Sequence, residues 1–214
     1  MNHPMRPSTS APAPAVARLC HAVDAAFDHS DATGDPACRA TFASIVRAAL
    51  AEAAADPALL SPAQREGHAD TYRRHLLAAD PHGRYALAAL VWQPGQASPA
   101  HAHHTWCGYA VVAGTLAETV YAWDAATHCA IETRTRLRPA GAVSFTRAGH
   151  IGIHRLGNPA HANTGVDTDA HASPAVSLHL YGVCGTRIAT HVNDIVRIGD
   201  VPVTTRCTTH TVSA

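Results

Sequence analysis

The sequence predicts a mostly β fold, a barrel or sandwich of short strands entered through a helical N-terminal region. Two observations carry this. From about Arg73 onward, Pro and Gly recur at short intervals with β-branched runs between them, which is the texture of closed or two-layered all-β folds. Before Arg73, apolar residues recur at three- and four-residue spacing, which marks amphipathic helices. A length of 214 residues, 47% of them hydrophobic, suits one domain with a sizeable core.

Residues 1–14 are rich in Pro, Ser and Ala and read as a disordered tail. Residues 15–214 read as a single domain, helical over 15–70 and β-stranded over about 71–205. Val16, Leu19, Val23 and Phe27 place a helix over 15–29. Asp35-Pro36 looks like a second helix start, continued by Phe42, Ile45, Val46 and Leu50. Ser61-Pro62 opens a further short helical turn. Residues 84–92 (RYALAALVW) read as a strand ended by the Pro94-Gly95 turn. Residues 109–112 and 115–121, on either side of Gly114, read as a hairpin. Residues 131–137, 142–145, 151–156 and 175–181 are further strands, and alternation over 194–204 suggests edge strands. Trp92, Trp106 and Trp123 are expected in the core.

Composition narrows the chemistry. Basic and acidic residues number 16 each, so no positive excess exists to neutralise phosphates, and no nucleic-acid partner is expected. Every basic residue is Arg, which excludes Schiff-base lysines, lysine-anchored pyridoxal phosphate and a Walker A loop. Against this modest charge stand 17 His, the commonest metal ligand and the usual general base. The six cysteines are scattered and never form C-x-x-C. The N-terminus lacks the roughly 7–15-residue apolar run of a secretory leader, and no apolar stretch of about 18 residues crosses a membrane. The expectation is a soluble, reduced, cytoplasmic protein, a monomer or small homo-oligomer.

The strongest local pattern is His101-Ala102-His103. On a strand, residues i and i+2 share a face, so both imidazoles can reach one metal. The wider spacing is Gly95-x5-His101-x-His103-x3-Cys107-x6-Gly114. It resembles the first cupin motif, with Cys107 where that motif carries Glu. The stretch from Gly141 through Gly149 to His154-x3-Asn158 resembles the second, with Arg147 replacing a usual Pro and two extra residues before His154. This resemblance implies a double-stranded β-barrel, the cupin jelly roll. A second pattern is Ser177-x-His179-x-Tyr181, three polar side chains on one strand face. No acid is placed to orient His179 and no elbow glycines flank Ser177, so it is not a serine-hydrolase triad.

The combination of H-x-H, IGIHRLGNP, PAVSLHLYG and Tyr72-Arg73-Arg74 just before the first barrel strand resembles the cysteine dioxygenase family of thiol dioxygenases over roughly residues 70–185. That resemblance implies a mononuclear non-haem Fe(II) held by His101, His103 and His154, and a relay of Ser177, His179 and Tyr181. It makes Arg74, with Tyr72 beside it, the partner of a substrate carboxylate. A guanidinium fork suits that task, because it grips a carboxylate bidentately. In the branch using 3-mercaptopropionate this position is usually Gln, so Arg74 favours L-cysteine and its conversion with O2 to cysteine sulfinic acid. The segment TWCGYAVVAG is closer to the bacterial mercaptopropionate branch, and 3-mercaptopropionate or mercaptosuccinate is the alternative substrate. A non-thiol metallo-cupin or a metal-binding sensor is the alternative of another class. The Ala-rich, Lys-free composition suggests a GC-rich bacterial source.

Aligned from Gly114, Cys107 takes the position of the cysteine that cross-links to the relay tyrosine in animal members. Aligned from His101, Gly108 takes it. A Cys107–Tyr181 thioether and an ordinary buried thiol are both compatible with the sequence. His104 is expected on the face opposite the H-x-H pair. His150 is placed where a regular strand would put it beside His154. Arg187 is read chiefly as a surface residue, with the pocket mouth as its other location.

Overall fold

The computed structural model describes residues 13–28, 34–159 and 173–200. Two helices come first, α1 (Pro14–Asp28) and α2 (Ala40–Ala55). Pro14, expected in the tail, is the first residue of α1; residues 1–12 lie outside the described residues. A 3-10 turn, Pro36–Cys38, is capped by the Asp35 side chain. The helix expected at Asp35-Pro36 therefore starts only after this turn. A second 3-10 turn, Pro62–Arg65, follows Ser61, whose backbone N–H donates to Gln64 Oε1.

Among the described residues eleven strands follow: β1 (Arg73–Ala79), β2 (Ala86–Trp92), β3 (His101–His103), β4 (Cys107–Ala113), β5 (Thr115–Asp124), β6 (Cys129–Pro139), β7 (Val143–Thr146), β8 (Gly149–Gly157), β9 (Ala175–Tyr181), β10 (Asn193–Ile195) and β11 (Ile198–Gly199). They form two sheets. The order in one is β1-β2-β9-β4-β7, and in the other β10-β3-β8-β5-β6-β11. The chain alternates between the sheets, which gives the double-stranded β-barrel of the cupin fold with its N-terminal helices.

The pleat explains the near-continuous apolar run of β2, whose residues are all buried. Leu87, Ala89 and Val91 face one core cluster together with Val46 and Leu50 of α2 and Leu178 and Leu180 of β9. Ala86, Ala88, Leu90 and Trp92 face the barrel interior with Cys107, Tyr109 and Tyr181. A strand buried on both faces loses the apolar–polar alternation of a half-exposed one. Phe42 of α2 sits edge-on to Trp106, 5.2 Å between centroids, and to Phe27 of α1, 5.1 Å away. These aromatic contacts tie the helices to the first sheet.

Three expectations are corrected. β4 and β5 are not a hairpin: β4 pairs with β9 and β7, and β5 with β6 and β8. Gly114 carries the chain from one sheet to the other at φ +71°, where a Cβ would stand 3.0 Å from Ala175 Cα. The hairpin is β5–β6, closed by the 125–128 turn, in which the Asp124 carboxylate accepts from Ala126 N and Thr127 Oγ1. Second, the first barrel strand includes Arg73 and Arg74 rather than following them. Third, Trp92 and Trp106 are buried, but Trp123 is half-buried on the outside, stacked on His150 at 4.0 Å. Of the edge strands expected over 194–204, β10 and β11 are present, and 201–204 lies outside the described residues. Among the described residues no helix is long and apolar enough to cross a membrane.

Candidate metal centre and active site

The second sheet supplies three imidazoles. β3 is only three residues long, and its pleat turns His101 and His103 inward while Ala102 joins the outer cluster with Ile153. β8 runs antiparallel to β3 with His154 directly opposite His101. An irregularity in the pairing sets Gly149, rather than a residue two places from His154, opposite His103. The three ring centroids stand 5.1, 4.8 and 5.0 Å apart. One nitrogen from each lies within 4.8 Å of the others.

The protonation pattern fits a metal. Nδ1 of His101 donates to the Pro99 carbonyl at 2.9 Å, and Nδ1 of His154 donates to Glu118 Oε1 at 3.0 Å. With Nδ1 protonated, each Nε2 keeps a lone pair for a ligand bond. Burial, then the nearby His154, pushes His101 down to about 3 and His103 to about 2. Both are neutral at physiological pH, the state a metal requires. Three imidazole nitrogen donors suit Fe, Zn, Cu or Ni and leave coordination positions open.

The first sheet supplies the opposite wall. β9 directs Ser177, His179 and Tyr181 into the barrel, and all three are buried. Trp92 Nε1 donates to Ser177 Oγ at 2.9 Å, and Ser177 Oγ lies 2.9 Å from His179 Nε2. Ser177 Oγ thus bridges the Trp92 indole and the His179 imidazole. Burial holds His179 well below its ordinary pKa and raises Tyr181 above the usual phenol range, although Arg74 opposes the latter. The histidine is therefore neutral and the tyrosine protonated. The rings of His179 and Tyr181 stack 5.7 Å apart. The expected chain from Ser177 to Tyr181 is thus a hydrogen bond followed by a ring contact.

β1 brings Arg74 to the same cavity. Its Nη1 donates to the Ile188 carbonyl at 3.2 Å, its Cζ lies 5.9 Å from the Tyr181 ring centroid, and its Nε is buried without a partner. A buried donor left unpaired is costly, and here it borders a pocket. Tyr72 stacks on Trp92 at 4.4 Å. Tyr72, Arg74, Leu90, Trp92, Cys107 and Asn193 complete the wall facing the imidazoles. The cavity is narrow, about 10 Å³ in volume, and suits a small ligand. Cys107 lies directly across from Tyr181 in the β4–β9 register, and burial raises its thiol pKa.

Two residues absent from the sequence reading shape the site. Glu118 of β5 holds His154, and Arg136 of β6 binds the other Glu118 oxygen at 2.7 Å. Burial disfavours the Glu118 charge, but His154 and Arg136 outweigh it and hold its pKa at about 2. Tyr109 stacks on His179 at 5.5 Å with its hydroxyl buried beside Glu118. The signal for Glu118 was its place in β5: Leu116 and Glu118 share the buried face, where a carboxylate is out of pattern. Asn158 is structural, donating to the Trp92 carbonyl at 3.0 Å. His150 is outside, 3.6 Å from Asp194, because the irregular register of β8 takes it off the His154 face. His104 and Arg187 are exposed, and Arg187 does not line the cavity.

Among known proteins, a family model described as cysteine dioxygenase type I matches residues 63–188. Human cysteine dioxygenase type 1 is 31% identical over 101 residues, 46% of this chain and 45% of that protein. The bovine protein is 32% identical over the same extent. The chain thus spans under half the length of these curated relatives in its match. A solved structure of an uncharacterized conserved protein with a double-stranded beta-helix domain from Klebsiella pneumoniae aligns at 12% identity and a TM-score of 0.43, covering 61% of this chain and 93% of that one.

Proposed function

Because the chain belongs to the cysteine dioxygenase type I family, we propose that it is a thiol dioxygenase that adds both atoms of O2 to the sulfur of a small carboxylated thiol. L-Cysteine is the substrate of choice and cysteine sulfinic acid the product. The observation that carries the reading is the meeting, in one cavity, of three buried imidazoles from one sheet with Tyr181 and Arg74 from the other.

His101, His103 and His154 are the proposed ligands of a mononuclear Fe(II). Bound there, Fe(II) would supply open positions for the thiolate and O2 and the redox capacity to join them. Arg74 binds the substrate carboxylate through its unpaired Nε–H and so aims the sulfur at the imidazoles. This positioning removes translational and rotational freedom before reaction. Tyr181, kept protonated by burial, offers a hydroxyl hydrogen bond to the oxygen that becomes part of the product. Ser177 and His179 fix the wall behind it, and Trp92 fixes Ser177. Leu90 and Trp92 line the same cavity, and their apolar surfaces lower its polarity, which strengthens each of these interactions. Thiol to sulfinate is a four-electron oxidation matched by one O2, so no external reductant enters.

Cys107 and Tyr181 are proposed to join as a thioether during turnover: the S–H and a ring C–H bond break, a C–S bond forms, and O2 takes the two electrons and two protons as H2O2. The setting we propose is cytoplasmic, where thiols stay reduced, with the chain acting as a monomer or small homo-oligomer.

The substrate assignment is tested by steady-state kinetics with L-cysteine, 3-mercaptopropionate, cysteamine and mercaptosuccinate. L-Cysteine should have the highest kcat/KM. A higher value for 3-mercaptopropionate would move the enzyme to that branch, and one for cysteamine would remove the carboxylate from recognition.

A further inference from the structure

The proposed metal site has lost the carboxylate that occupies the Cys107 position in the cupin motif, yet a carboxylate reaches it by another route. Glu118 lies on β5, the strand next to β8 on the side away from β3. Its Oε1 accepts from His154 Nδ1 at 3.0 Å, and its side chain is only 4% exposed. Arg136 grips Oε2 with Nη2 at 2.7 Å and Nε at 2.9 Å, and Arg138 Nε stands 3.7 Å away. Arg136 is itself 41% exposed.

A buried carboxylate on an inward strand position is expensive, and an apolar residue would fill the space at no such cost. Stability is therefore a poor reason for Glu118 to be there. From this geometry we infer that Glu118 is a positioning residue that acts on the metal through His154. It locks the imidazole plane and its Nδ1–H tautomer. It also passes negative charge to the Nε2 donor, replacing the missing carboxylate ligand at one remove. Arg136 sets the strength of this effect, because its guanidinium neutralises the far oxygen of the same carboxylate.

The inference rests on the metal reading of His101, His103 and His154, and the test separates the two. Co(II) and Fe(II) affinities are measured by chelator competition, and the Fe(III)/Fe(II) reduction potential by spectroelectrochemistry, on wild type, Glu118→Gln and Arg136→Gln. Thermal unfolding of the metal-free proteins is recorded alongside. Glu118→Gln should bind both metals about 10- to 100-fold more weakly and have a raised potential, because the lost negative charge no longer stabilises the ferric state. Arg136→Gln should shift the potential the opposite way, because the Glu118 charge is then unshared. A purely structural role for the pair would move both variants in the same direction. If Glu118→Gln does not fold, the sign of the Arg136→Gln shift decides. Unchanged potentials, or shifts of the same sign, would overturn the inference while leaving the metal site standing. A wild-type protein that binds neither metal would overturn both.

Discussion

Cys107 and Tyr181 occupy directly opposed positions on the antiparallel strands β4 and β9, both with side chains inside the barrel. Opposed residues on one face of an antiparallel pair have Cβ atoms about 4.5–5.5 Å apart, within reach of a thiol and a phenol ring edge. Counting from Gly114 rather than His101 is the alignment consistent with this pairing. Protein turned over with thiol and O2 should contain a Cys107–Tyr181 peptide pair lighter by two hydrogens than the separate peptides. Cys107→Ser should abolish that species. Mass spectrometry that finds both peptides separate after turnover would remove the cross-link.

Tyr181→Phe keeps the ring packed on His179 and removes only the hydroxyl. Turnover should fall about 100-fold, within the range for loss of a positioned proton donor, with bound iron unchanged by metal analysis. Loss of iron would make Tyr181 a structural residue instead.

Arg74→Ala removes the guanidinium whose Nε has no protein partner. A charge-assisted pair is worth about 2–3 kcal/mol, so the KM for L-cysteine should rise roughly 100-fold. The KM for cysteamine, which has no carboxylate, should change little. An unchanged KM for L-cysteine would take Arg74 out of substrate binding.

Stability should fall in acid through Asp80. Its side chain is 1% exposed and accepts from Arg84 Nε at 2.9 Å and from the Arg84 backbone N–H at 2.8 Å. These bonds hold its pKa below the ordinary carboxylate value, against burial. A depressed carboxylate contributes stability that is complete above the unfolded pKa, about 3.9, and is lost as pH falls through the lower folded value. Metal-free protein should therefore lose stability below about pH 4. Asp80→Asn should cost about 3 kcal/mol at neutral pH and flatten the acid limb. Urea denaturation from pH 3 to 7 measures both, and an acid limb of unchanged slope in Asp80→Asn would remove Asp80 as its source.

Much of this was legible from residue order alone, for identifiable reasons. β9 was bounded correctly because Val176, Leu178 and Leu180 alternate with Ser177, His179 and Tyr181, and the period of two gives both the strand and its two faces. His101 and His103 were legible as a same-face pair for the same reason. The β4–β5 connection was not, because Gly114 between two strands signals a reversal whether the chain returns to the same sheet or crosses to the other. Glu118 is marked locally only as a carboxylate out of pattern on β5, and its partner His154 is not legible there because it depends on β5 lying beside β8. The irregularity in β8 that separates His150 from His154 is likewise set by pairing with β3, not by composition.

The measurement that bears most directly on the central proposal is oxygen uptake by anaerobically Fe(II)-loaded protein, with sulfinate quantified in the same sample. One O2 consumed per sulfinate formed from L-cysteine, with no added reductant and no uptake by His154→Ala, is the predicted result. Iron-loaded protein that consumes no O2 with L-cysteine, 3-mercaptopropionate or mercaptosuccinate, or that yields disulfide instead of sulfinate, would contradict it.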